Sequence, residues 1–136
     1  MSTLSPLTAM KPNALLPILS LVSILLMTLH VTDDIVRGIS PAAPNNVGAV
    51  AIFLVWLWGT LMLRERRLGY AIMLLGGVFA AAMPFLHFNG ARYPAVAASS
   101  GGFFFVWSLI VVGTTGAFAA ILAARALWLS FRPSTA

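Results

Sequence analysis

An all-α integral membrane protein of four transmembrane helices, arranged as an up-down-up-down antiparallel bundle with both ends cytoplasmic, is predicted by three observations. The first is composition: of 136 residues 60% are hydrophobic and only 8% charged, against about 25% charged residues in an ordinary soluble domain. The second is the division of the chain into four apolar stretches, at residues 14–31 (or on to 37), 47–63, 68–88 and 101–124. Each approaches the ~20 residues that cross a ~30 Å hydrocarbon core as a helix. The third is the asymmetric placement of basic residues between those stretches. Outer-membrane strands would show many segments of about ten residues with alternating polarity, and no such alternation is present.

Taken in order, the chain begins with a polar segment, 1–12, ending near Lys11. The first apolar run exceeds a signal-peptide core, and the small residues Pro41-Ala42-Ala43 lie beyond Asp33, Asp34 and Arg37. It is therefore read as a retained signal anchor. The connection 32–46 carries the breakers Gly38, Pro41, Pro44, Asn45 and Asn46. A four-residue turn, Arg64-Glu65-Arg66-Arg67, joins the second and third spans, and so short a link makes them antiparallel neighbours. Asn89, Gly90, Pro94 and residues 99–102 break the next connection. After residue 124 a tail, 125–136, containing Leu127-Trp128-Leu129 is expected in the interface, where tryptophan is enriched.

Lys11, Arg64, Arg66, Arg67, Arg125 and Arg132 fall on one side of this map, and Arg37 and Arg92 on the other. Because basic residues resist translocation, the six are topology anchors and place both ends in the cytoplasm, with 32–46 and 89–100 outside. The basic balance, +5 overall, is thus a topology signal rather than a nucleic-acid surface. The economy of the chain suits a bacterial inner membrane. The bilayer is the first partner, and a homo-oligomer or larger membrane complex the second. The arginine turn also has the character of an anionic-headgroup contact.

Small residues mark where helices pack closely in lipid. Gly116, Ala120 and Ala124 recur every four residues in the fourth span, and Gly76, Ala80 and Pro84 in the third, beside Gly77 and Ala81. These stripes are expected to meet. In the first span Asn13, Ser20, Ser23, Met27, His30, Asp34 and Arg37 share one heptad-like seam, and polar groups in spans face inward. Gly69, Met73, Gly76, Ala80, Met83 and His87 form the equivalent seam of the third. At 1.5 Å rise per residue, His30 and His87 reach similar depth near the outer face.

The residues that carry chemistry are therefore His30, Asp33, Asp34, Arg37 and His87, with Arg92 nearby. His30 with Asp34 and Asp33 with Arg37 are four apart, close enough to interact on a helix. As a structural network they finish a span and neutralise one another. As a metal site, imidazole and carboxylate suit zinc or another divalent transition metal. Met27 and Met83, one turn below the histidines, add a copper variant, and the paired histidines a haem b variant. Asp33 and Asp34 also suit the mouth of a small-cation path, but no ionisable group lies at mid-span below them.

The absence of cysteine removes thiolate metal sites, iron–sulfur clusters and cysteine nucleophiles. No nucleophile, base and oxyanion pattern is present, which leans away from an enzyme. The leading expectation is a non-enzymatic structural, accessory or interaction protein with an outer histidine/aspartate network. A metal- or haem-binding redox or ligand-binding protein using His30 and His87 is the alternative, and a cation-transport component the second.

Overall fold

The computed structural model describes residues 14–40 and 47–132. The polar segment 1–12 with its anchor Lys11, the seam residue Asn13, the breakers Pro41, Pro44, Asn45 and Asn46, and residues 133–136 of the tail lie outside the described residues. Among the described residues the chain is entirely helical: α1 Leu15–Val36, α2 Val47–Met62, α3 Arg67–Phe88, α4 Tyr93–Ala97 and α5 Gly102–Ser130. Helices α1, α3 and α5 are long and apolar enough to cross a membrane, whereas α2 is apolar but shorter, at 16 residues. Their outward surfaces are what lipid requires, with Leu75, Phe85 and Phe103 each more than 70% exposed.

α1 continues past the apolar stretch to Val36 because its final turns are tied down. The Arg37 amide reaches the Asp33 carbonyl at 2.9 Å, and the Gly38 amide reaches the Ile35 carbonyl at 3.0 Å. Gly38 stands at φ +67°, the left-handed conformation that ends helices and that glycine adopts without a Cβ penalty. This continuation carries His30, Asp33 and Asp34 on one rigid element.

Two segments differ from the sequence reading. α5 does not stop near residue 124 but runs through Leu127-Trp128-Leu129 to Ser130, which makes it about 43 Å long at 1.5 Å per residue. Leucine, alanine and arginine favour helix throughout that stretch, and nothing in it breaks the ladder. The second connection contains α4, a short helix opened by Pro94 near its first position, where a missing amide costs nothing.

α3 and α5 form the most extensive pair, and α5 also packs on α1, while α2 leans on α1 and α3. The α3–α5 contacts run in opposite senses along the two helices. Pro84 seats on Gly113, Ala80 and Ala81 on Gly116, and Gly77 on the backbone of Ala120. The expected stripes are corrected in two places. Gly76 turns instead to α2, where the Trp56 indole covers it. Ala124 is exposed and Ala123 is buried in its stead, because a four-residue spacing drifts about 40° per step from the 3.6-residue turn.

The α1 seam faces inward, with Ser20, Ser23, Met27, His30 and Asp34 buried. Leu15 and Val22, on the other face, are exposed. A closed polar knot fastens α1 to α2. The Trp56 indole N–H donates to Ser20 Oγ at 2.8 Å, Ser20 and Thr60 hydroxyls meet at 2.8 Å, and Thr60 donates to the Trp56 carbonyl at 2.8 Å. Since the Thr60 hydrogen is committed to that carbonyl, the Ser20 hydroxyl donates to Thr60. Ser20→Ala leaves the buried indole N–H unpaired and is expected to lower unfolding stability in detergent by about 1–2 kcal/mol. Chemical denaturation against the parent checks this; an unchanged midpoint would mean that the knot contributes nothing.

Candidate metal centre

Three helices bring the site together at the end of the bundle opposite the arginine turn. α1 supplies His30 and Asp34, α3 supplies His87, and α5 supplies Phe105 and Ser108. The two imidazoles stand in edge contact, centroids 4.9 Å apart, and both pack on the Phe105 ring, at 5.4 and 5.8 Å. His30 is fully buried and Asp34 nearly so, whereas one-fifth of the His87 side chain is accessible.

Hydrogen-bond bookkeeping fixes which nitrogen carries each proton. Ser108 Oγ donates its single hydrogen to the Phe105 carbonyl at 2.9 Å, so its 3.0 Å contact with His30 Nδ1 has the imidazole N–H donating. His87 Nδ1 lies 3.0 Å from the Met83 carbonyl, an acceptor only, so it too carries hydrogen. Both rings are thereby anchored through Nδ1 and turn Nε2 toward Asp34. His30 Nε2 stands 3.8 Å from Asp34 Oδ1, and His87 Nε2 stands 3.0 Å from Asp34 Oδ2.

The short His87–Asp34 contact is closed by one shared proton. The other pair has none: His30 Nε2 and Asp34 Oδ1 are buried and without a hydrogen-bond partner. A ring nitrogen lone pair and a carboxylate oxygen facing one another away from water is an unfavourable arrangement unless something positive lies between them. Ligand atoms of His30, Asp34 and His87 all fall within 4.8 Å of one another. The 3.0 and 3.8 Å separations straddle the ~3.3 Å expected between two ligands held ~2.0–2.1 Å from a tetrahedral ion.

The remaining residues of the sequence-derived cluster have other duties. Asp33 pairs with Arg37 at 2.6 Å and does not join the imidazoles. Arg37 also donates to Ser99 Oγ and to the Gly101 carbonyl, both at 3.1 Å, so it straps the end of α1 to the start of α5. Arg92 donates to the Gly38 carbonyl at 2.9 Å and lines a groove that opens beside His87. Met27 and Met83 are buried in the core cluster that surrounds the site, and Met83 enters it through its carbonyl. With the two rings touching and both held by Phe105, no gap for a porphyrin plane separates the histidines.

Ser108 was not singled out from sequence. It is the one hydroxyl between Phe103 and Val112, and buried neighbours at 105, 109 and 112 put it on the packing face. A hydroxyl on such a face is the available signal, but only the helix rotations show that it meets His30. Comparison of the chain with family models, with curated proteins and with solved structures gives no match, so the chemistry of the site rests on its geometry.

Proposed function

We propose that this chain is a membrane-embedded metal-binding protein that holds one divalent transition-metal ion between His30 Nε2, Asp34 and His87 Nε2, the ion taking the place of the proton that His87 and Asp34 share, which is released to solvent. The observation that carries this reading is the facing pair of buried acceptors, His30 Nε2 and Asp34 Oδ1, which no hydrogen bond satisfies. Two imidazoles and one carboxylate, with a fourth position left open, is a ligand set that zinc accepts. The second layer supports it: ligating histidines donate their other N–H to a carbonyl, carboxylate or other oxygen, as His30 does to Ser108 and His87 to Met83.

This reading displaces the purely structural network as the first choice, because a network assembled only for stability gains nothing from an unpaired buried carboxylate oxygen. It also differs from a conducting path. Directly beneath the site on the α1 seam, Met27 is completely buried, and Ser20 is committed to Trp56 and Thr60. The protein binds a metal, and the open fourth position leaves room for a water or another small ligand on the ion.

The same proposal sets the site in a bilayer of the bacterial inner membrane. α2 serves as a fourth crossing beside α1, α3 and α5, and the basic turn stays cytoplasmic, which puts the metal centre at the outer face. Single cysteines at Arg66→Cys and Ala98→Cys, in a chain that has no cysteine of its own, are expected to react with an impermeant thiol reagent from opposite sides. Labelling of both from one side would contradict the four-crossing topology.

Titration of metal-free, detergent-purified full chain with cobalt(II), a visible-spectrum stand-in for zinc, tests the metal reading. Saturation at one ion per chain with an intense visible band of low-coordinate nitrogen and oxygen ligation is the expected result. A spectrum indistinguishable from aqueous cobalt throughout would overturn it.

A further inference from the structure

The opposite end of the bundle carries a second candidate site, independent of the metal centre. Five arginines, Arg64, Arg66, Arg67, Arg125 and Arg132, crowd the ends of α2, α3 and α5 there, and the four other than Arg66 divide into two kinds. Arg67 donates to the Ser130 carbonyl at 2.6 Å and lies 4.5 Å over the Phe131 ring, and Arg132 covers the Trp128 ring at 5.7 Å. Those two are occupied by their own chain. Arg125 has no hydrogen-bond or ion-pair partner among the described residues, and Arg64 has only Glu65, 3.8 Å away with both side chains more than 60% exposed. A pair so exposed contributes little and is readily exchanged.

Arg64 and Arg125 line one groove of about 310 Å³ together with Tyr70. The Tyr70 hydroxyl likewise has no hydrogen-bond partner among the described residues. The rest of the groove wall is aliphatic, from Leu16, Leu122 and Leu129. Two guanidinium groups and a phenol above an apolar wall, at the end of membrane-length helices, match one chemistry: a phosphate ester bearing acyl chains. Guanidinium groups bind phosphate oxygens through paired N–H donors, and Leu122, one turn deeper in α5 than Arg125, begins an apolar wall for the chains.

We propose that Arg64, Arg125 and Tyr70 form a binding site for the phosphodiester of one anionic phospholipid. The site draws on three helix ends, so an occupied groove would clasp α2, α3 and α5 together at this face. It differs from a general attraction of basic loops to anionic membranes, in which Arg66, in the same turn, would count as much as Arg64.

Native mass spectrometry of the detergent-solubilised full chain tests it, with phosphatidylglycerol and phosphatidylcholine of identical acyl chains as probes. Each basic residue near a membrane surface contributes an amount equivalent to about fivefold in binding, so two give a preference for phosphatidylglycerol of roughly thirtyfold. The parent chain should show that preference, Arg64→Gln/Arg125→Gln should lose it, and Arg66→Gln should keep it. Glycerol phosphate, the headgroup without tails, should fail to displace the bound lipid. Should the double variant not fold, as judged by its helical circular dichroism, each single variant is expected to lower the preference about fivefold. Equal retention of the two lipids by the parent, survival of the preference in folded variants, or equal loss in Arg66→Gln would overturn the site. Displacement by glycerol phosphate would overturn its assignment to a lipid.

Discussion

His30→Ala is expected to abolish the tight metal site, with zinc or cobalt affinity falling by more than about 100-fold, beyond what loss of an outer-layer partner causes. The reason is positional. His30 is the only ligand whose ring is wholly enclosed, and its Nε2 faces Asp34 Oδ1 with no competing donor, so its removal leaves the ion one side chain on each of two helices. Asp34→Asn should be as damaging, since it keeps the shape of the side chain while removing the charge that both imidazoles face. Ser108→Ala should fall between these variants and the parent, with about a 10- to 100-fold loss, because it removes only the group that holds the His30 tautomer. That graded series separates a metal site from a packing role. Equilibrium titration with a competing chelator measures it, and equal affinities in parent and His30→Ala would remove the site from consideration.

The second large effect is expected from packing. A Cβ on Gly116 would stand 2.6 Å from Ala80 Cβ and 2.7 Å from the Ala81 backbone nitrogen, and backbone cannot move aside as a side-chain tip can. Gly116→Leu should therefore separate α3 from α5 and lower stability by about 3 kcal/mol or more, at or above the usual range for overpacking. Gly48→Ala is the internal control: nothing lies within 4 Å of its added carbon, and alanine has the better helix propensity. It should be neutral or slightly stabilising. Because α3 carries His87 and α5 carries Ser108, Gly116→Leu should also weaken metal binding without touching a ligand. Thermal unfolding in detergent, read together with cobalt titration, checks both statements.

Much of the fold is legible in the sequence because in lipid the signal is compositional. Long apolar runs report helices, and the seam from Ser20 to Asp34 reports which face of α1 turns inward. The juxtaposition of His30 and His87 is legible more coarsely, since both stand in the half of their helix that lies away from the arginine turn. What eluded sequence reasoning depends on how neighbouring helices are rotated. Whether Gly76 meets α5 or the Trp56 indole of α2 is decided by a rotation of one residue's arc, about 100°. Small size alone does not record that choice. Ser108 and the Arg37 strap to Gly101 are likewise tertiary facts, in which residues 62 to 78 positions apart meet.

α4 and the extra turns of α5 were hidden for a different reason. Apolarity marks the part of a helix inside hydrocarbon, and both segments are helical where that signal ends. The separate partners of Asp33 and Asp34 are legible from spacing, because neighbouring positions on a helix point about 100° apart while positions four apart share a face. One aspartate therefore serves the strap with Arg37 and the other the imidazoles. The division gives the two acidic residues separate surroundings, one pairing with the arginine that straps α1 to α5 and one facing both imidazoles.

Zinc K-edge absorption of the full chain loaded with one equivalent of zinc tests the central claim most directly. Two imidazole nitrogens and a carboxylate oxygen at ~2.0–2.2 Å are the expected first coordination sphere, with one imidazole lost in His30→Ala or His87→Ala. An all-oxygen sphere, or a spectrum identical in the parent and both histidine variants, would show that the facing lone pairs of His30 and Asp34 serve no metal.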